Sequence, residues 1–165
     1  MDNLIKNCET YYGAIDIGSN AVRLLIKCVE EDEQGKAFFS KVLLLRVPLR
    51  LGFDVFAMGK IAEKKEKNML RLMKVFRHLM KIYDVEDYRA CATSAMRDAK
   101  NGKAIIKRIE KKTGIRIEII DGQEEARMIY NNHIECMEDR NGNYMYVDVC
   151  LLYTSPSPRD YAASR

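Results

Sequence analysis

The sequence predicts an α/β fold, and three observations carry that prediction. Three extended apolar runs precede residue 48, separated only by short polar turns. From Ile61 the apolar spacing then changes, so that Met69, Leu72, Met73, Phe76, Leu79, Met80 and Tyr83 recur at three- and four-residue steps. Short extended and helical segments alternate thereafter.

Taken in order, Tyr11 to Asp16, Val22 to Val29 and Ala37 to Val47 read as consecutive strands of an antiparallel meander. Leu51 to Gly59 reads as a connection with Gly52 and Gly59 as breakers. A long amphipathic helix follows through Tyr83. Tyr88 to Ala92 is a short strand, Lys103 to Lys112 a helix packed through Ile105, Ile106 and Ile109, and Ile115 to Ile120 a strand. Gly114 stands where a helix C-cap belongs. Gln123 to Met137 reads as a third helix, with Asp121 as N-cap and Glu124 and Glu125 in the first turn, where the helix dipole favours acids. Tyr144 to Val149 reads as a buried strand bearing Asp148 near its end.

The segment best suited to chemistry is Y-Y-G-A-I-D-I-G-S-N-A-V-R-L-L-I, Tyr11 to Ile26. It sets Asp16 at the end of one strand and leaves only Gly18, Ser19 and Asn20 before the next. Glycine lets a ligand approach the backbone, and consecutive N–H groups in such a turn form a concave nest for phosphate oxygens. An ordinary hairpin whose acid satisfies the turn is the plain alternative. The segment is not a Walker A loop, since no lysine follows the glycine, nor a dinucleotide fingerprint, which needs a helix after the turn.

With 165 residues, 47% of them hydrophobic, the chain can bury one core and begin a second. Its five cysteines form no C-x-x-C pair and the two histidines stand apart, so a structural zinc site is not expected. Scattered thiols in apolar runs suit a reducing compartment. The N-terminus M-D-N-L-I-K-N-C-E-T has no continuous apolar core of a signal peptide, and no apolar run approaches the ~20 residues of a membrane span. The expected location is the cytoplasm. Net charge is +4, but Lys60 to Lys81 and Lys103 to Lys112 are basic clusters that either line a channel for a polyanion or form solvated helix faces. No aromatic residues interleave with them, so nucleic-acid binding is not expected.

Four blocks together resemble one family. The Tyr11 to Ile26 segment is similar to the first phosphate loop of the exopolyphosphatase and guanosine pentaphosphate phosphohydrolase family, of the actin-like, sugar-kinase and heat-shock-protein ATPase superfamily. V-P-L-R-L-G (Val47 to Gly52), C-A-T-S-A-M-R-D-A (Cys91 to Ala99) and I-E-I-I-D-G-Q-E-E-A-R-M-I-Y (Ile117 to Tyr130) match further family segments in the same order. The resemblance implies a ribonuclease H-like, actin-like ATPase domain over residues 1–121 and the beginning of a second such domain over 122–149, truncated there.

It also implies an activity, the release of terminal phosphate from inorganic polyphosphate or guanosine pentaphosphate, and roles for residues. Gly18, Ser19 and Asn20 would contact the terminal phosphate, and Arg97 would hold its oxygens with the guanidinium fork. Glu125 would position and deprotonate the attacking water, with Glu124 as a dipole or solvent residue. Asp16 and Asp148 would hold Mg²⁺ directly or through water. Arg23 follows the loop where the family often has a basic residue, but on a strand it can equally face solvent and is left out of the predicted site. A homodimer of the full-length protein is compatible with this reading.

After Val149 the family's glycine-rich second phosphate loop should begin; the chain reads C-L-L-Y-T-S-P-S-P-R-D instead. That string is similar to what a transposase-type sequencing-library adapter encodes in one frame, so residues 150–165 are expected to be foreign to the protein, the alternative being a disordered polar tail. The chain would then be an incomplete and inactive front part of an enzyme. A non-catalytic phosphate- or nucleotide-binding module is the second reading, and a kinase or chaperone-like ATPase of the same superfamily the third, which the Cys91 to Ala99 and Ile117 to Tyr130 segments oppose.

Overall fold

A computed structural model describes residues 10–31 and 37–135. Its elements are β1 (Thr10–Ile17), β2 (Val22–Glu31), β3 (Ala37–Val47), α1 (Leu51–Met58), α2 (Glu63–Ile82), β4 (Asp87–Ala92), α3 (Ser94–Asp98), α4 (Gly102–Thr113), β5 (Glu118–Ile119) and α5 (Gly122–Glu135). The strands form one sheet in the order β3-β2-β1-β4-β5. The first three pair antiparallel, while β4 runs parallel to β1 and β5 parallel to β4. This is the expected ribonuclease H-like arrangement.

Alternation along the strands divides the sheet into two faces. Ile15, Ile17, Val22, Leu24 and Ile26 are buried and share one core with Met69, Met73, Phe76 and Met80 of α2 and Ile105 and Ile109 of α4. Ala14, Asp16 and Arg23 alternate with those residues and point to the second face, where the first turn of α5 lies. Arg89 on β4 holds it there, bonding Glu118 through Nε (3.3 Å) and Nη2 (3.1 Å) and pairing with Glu124 at 3.5 Å.

The structure corrects three sequence expectations. Leu51 to Met58 is a helix rather than a connection, because Leu51 and Val55, one turn apart, are buried while Phe53 and Phe56 are exposed. Only Gly59 acts as a breaker, at φ 66°. β5 is two residues long instead of six. Ile115 is fully buried, but its N–H is donated to Thr113 Oγ1 (3.2 Å), and the N–H of Arg116 goes to the Tyr88 hydroxyl (3.1 Å). Those donors are therefore not available to a ladder. Finally, Cys28 is disulfide-bonded, so the reading of the cysteines as reduced thiols does not hold there. Gly114 caps α4 at φ 72°, and Asp121 Oδ1 accepts the Glu124 N–H at 2.8 Å, both as expected. The segment carrying Asp148 and residues 150–165 lie outside the described residues.

Candidate active site

The carboxyl ends of β1, β4 and β5 share one edge of the sheet, the edge at which open α/β sheets bind ligands. Three chain reversals meet there: the Gly18–Asn20 turn, the Thr93–Ser94 step into α3, and the Asp121 start of α5.

The turn is firmly held. Gly18 N–H donates to the Ala21 carbonyl (3.1 Å), Arg50 N–H to that of Asn20 (2.8 Å) and Gly52 N–H to that of Ser19 (2.8 Å). The Gly18 donor is thus engaged inside the turn, which leaves a ligand to the remainder of the loop. Gly52 explains the last residue of the V-P-L-R-L-G block, since a Cβ there would stand 2.9 Å from Ser19 Cβ. Only glycine lets α1 pack this closely on the turn. Arg50, just before α1, takes a left-handed conformation (φ 50°) while its N–H holds Asn20. The other flank is tied through a 2.9 Å hydrogen bond between the Ser19 and Ser94 hydroxyls.

The start of α1 is fixed in turn by Asp54. This buried carboxylate accepts from Lys65 Nζ (2.6 Å) and from the Ala62 N–H (3.0 Å). Burial pushes its pKa up, but the lysine and the amide outweigh that and hold it below the ordinary value.

On the second face of the sheet a groove of about 460 Å³ runs between the strands and α5. Asp16, Arg23, Cys91, Thr93 and Glu125 line its polar part, and Leu25, Leu44 and Met128 its apolar part. Asp16 Oδ2 accepts from Arg23 Nη1 at 2.9 Å; among the described residues Oδ1 accepts no hydrogen bond. Burial raises the Asp16 pKa and Arg23 offsets this only in part. Burial likewise pushes the Cys91 thiol up, against Arg89.

Of the residues singled out from sequence, Asp16 of β1 and Glu125 of α5 therefore share one groove although they stand at opposite ends of the described chain. Ser19 lies at the same edge of the sheet, joined to Ser94. Arg97 sits half-buried on α3, with Nη1 donating to the Ile120 carbonyl (3.1 Å) and Nε 3.4 Å from Asp98 Oδ1. It thereby ties α3 to the chain entering α5. Sequence reasoning left out Arg23, Arg89 and Thr93. For the last two the signal was the two-residue period of a strand: Arg89 and Cys91 alternate on β4, Thr93 follows one residue beyond its end, and Cys91 pairs with Asp16 across the ladder.

The oxygen donors of Asp16 suit a hard cation. Among the described residues, however, no group of three or more His, Cys, Asp or Glu side chains is placed to hold a metal, and a second ligand such as Asp148 lies beyond them.

Comparison with known proteins adds to this geometry. The chain is 30% identical over 156 residues to the bifunctional 3-dehydroquinate synthase/phosphatase of Fusobacterium nucleatum, covering 90% of this chain and 24% of that protein. It is 28% identical over 118 residues to exopolyphosphatase 1 of Mycobacterium tuberculosis, covering 72% and 33%. Among solved structures it resembles the Ppx/GppA family member of Aquifex aeolicus (TM-score 0.67, 30% identity, 73% of this chain and 38% of that one). An exopolyphosphatase from Cytophaga hutchinsonii is similar too (TM-score 0.67, 28% identity, 76% and 39%). The chain spans between 24% and 39% of the length of these relatives. The profile of the Ppx/GppA phosphatase family matches residues 28–150, and with the sheet order and the edge described above, this chain belongs to that family.

Proposed function

We propose that the protein to which this chain belongs is a phosphoanhydride hydrolase that releases terminal phosphate from inorganic polyphosphate or guanosine pentaphosphate. The observation that carries this reading is that Asp16 and Glu125 line one groove at the carboxyl edge of the sheet. Phosphoryl transfer asks a protein mainly to orient water, align the phosphorus and neutralise charge.

In this reading Glu125 orients the attacking water and takes its proton. Ser19 and Asn20, with the turn backbone from Gly18, contact the terminal phosphate. Arg97 contributes its guanidinium; two of its nitrogens hold Ile120 and Asp98, and arginine's five N–H donors leave others for phosphate oxygens. Mg²⁺, held by Asp16 and Asp148, would supply charge neutralisation. Because the chain spans at most 39% of the length of the relatives above, it is expected to turn over substrate poorly by itself.

The test is phosphate release by the full-length protein and its variants. Glu125→Gln keeps the size of the side chain but cannot accept the proton, so kcat should fall at least a hundredfold with substrate binding retained. Arg97→Ala should weaken binding as well as rate. A near-normal kcat in Glu125→Gln alongside its loss in Glu124→Gln would move the catalytic role by one residue, and full activity in both would overturn the reading.

A further inference from the structure

Charge on this chain is segregated. Residues 60–82 carry eight Lys and Arg against two Glu, and α4 carries five against one, while the whole chain is only +4; everything outside these two segments is net negative. On α2, Lys64, Lys67, Arg71, Lys74, His78 and Lys81 follow one another at three- and four-residue steps, a single stripe on the flank opposite the buried Met69, Met73, Phe76 and Met80. The stripe is about 26 Å long at 1.5 Å per residue. Every residue in it is exposed.

α4 lies beside it. Glu66 of α2 pairs with Arg108 of α4, and Arg77 packs against Gly114 at the end of α4. Lys107 and Lys111, four residues apart, face outward from α4, opposite Ile105 and Ile109. The acids of α2 are already used, Glu63 on Lys67 and Glu66 on Arg108. Among the described residues Lys64, Arg71, Lys74, Lys81, Lys107 and Lys111 form no ion pair. Like charges at these helical spacings oppose the helix by a few tenths of a kcal/mol per pair, and among the described residues only the Lys67–Glu63 pair offsets this along the stripe.

Direction matters as well. α2 leads into β4 and α4 into β5, each strand being parallel to the one before it in the sheet, so both helices begin at the carboxyl edge that carries the Gly18–Asn20 turn and run away from it. We propose that the outward faces of α2 and α4 are a docking surface for the body of an inorganic polyphosphate chain whose terminal phosphate occupies the edge of the sheet. The inference rests on the hydrolase reading for its choice of ligand. Polyphosphate suits the surface better than nucleic acid because the stripe offers charge and N–H donors without interleaved aromatic side chains on which bases would stack.

Binding of end-labelled long-chain polyphosphate to the 165-residue chain tests this, measured across a salt series with tripolyphosphate as the short control. The variant Arg71→Gln/Lys74→Gln/Lys107→Gln/Lys111→Gln should lose at least tenfold in affinity for the long chain and show a shallower salt dependence, with tripolyphosphate binding unchanged. Replacing the three lysines by arginine should restore the affinity. Unchanged long-chain affinity in the glutamine variant overturns the surface. Duplex DNA bound as tightly as polyphosphate at equal salt, and lost in the same variant, overturns the choice of ligand. In the full-length protein the two readings separate. Glu125-dependent phosphate release with a KM for long chains unmoved by the glutamine variant removes the docking surface alone, whereas absent release with α2/α4-dependent binding intact removes the hydrolase reading alone.

Discussion

Asp54 and Asp16 each face one basic side chain, Lys65 at 2.6 Å and Arg23 at 2.9 Å, yet their carboxyl groups shift in opposite directions. Both feel burial, which favours the neutral acid. Asp54 meets it with a lysine and a backbone N–H that together satisfy both oxygens. Asp16 has Arg23 on one oxygen only, so part of the burial penalty stays uncompensated. A carboxylate satisfied on all sides is structural material. One left partly unsatisfied at the edge of a groove is poised to gain from a cation or donor that arrives later.

The largest effect that separates the two is on stability. Asp54→Ala should cost about 2–3 kcal/mol, because the Ala62 N–H loses its acceptor and Lys65, left with the Arg50 carbonyl, loses its counter-charge. Asp16→Ala should stay within about 0.5 kcal/mol. Urea unfolding of both variants measures the contrast, and equal losses would dissolve it. Next comes Gly52→Ala, which pushes α1 off the Ser19 turn; a loss of about 1–2 kcal/mol is expected, read in the same unfolding curves.

A smaller effect is the pH dependence, whose sign differs between the two sites. Asp54 has a folded-state pKa below its ordinary 3.8, so its contribution is present above that pH and is lost as pH falls through the folded value. Asp16 has a folded-state pKa above 3.8, so its contribution is present below 3.8 and is lost as pH rises through the folded value. Asp16→Asn should therefore gain stability relative to the parent on going from pH 3 to pH 7, and Asp54→Asn should lose it; parallel curves would refute the assignment. The smallest effect concerns Cys91, which shares the groove. Its raised pKa should slow alkylation by iodoacetamide near pH 8 several-fold against an exposed cysteine peptide.

Much of the fold was legible because its signals are periodic. The meander, the long helix and the Gly114 and Asp121 caps followed from spacing and turn chemistry. α1 was not, since its eight residues bury only one short side and its first glycine looks like a breaker until Ser19 is seen against it. The shortness of β5 was equally hidden, because the groups that take its N–H donors, Thr113 Oγ1 and the Tyr88 hydroxyl, are a side-chain matter. At the candidate site, Asp16 and Glu125 could be named from the family-like segments. Their common groove could not, because it depends on Arg89 drawing α5 onto β4, and neither partner announces that pairing in sequence.

Among the described residues β3 stands at the outer position of the sheet, eleven residues long and bonded only to β2. Phe39 and Leu44 on it are more than half exposed. Such a strand is a template on which another chain can add itself, and natural sheets guard it with charge or irregularity. Here the guards are Lys41 and Arg46 along the strand, with a bulge opposite Ile26 and Lys27 that bends the register. Neutralising those two cations should favour strand-to-strand self-association through this edge, although neither side chain lines the groove.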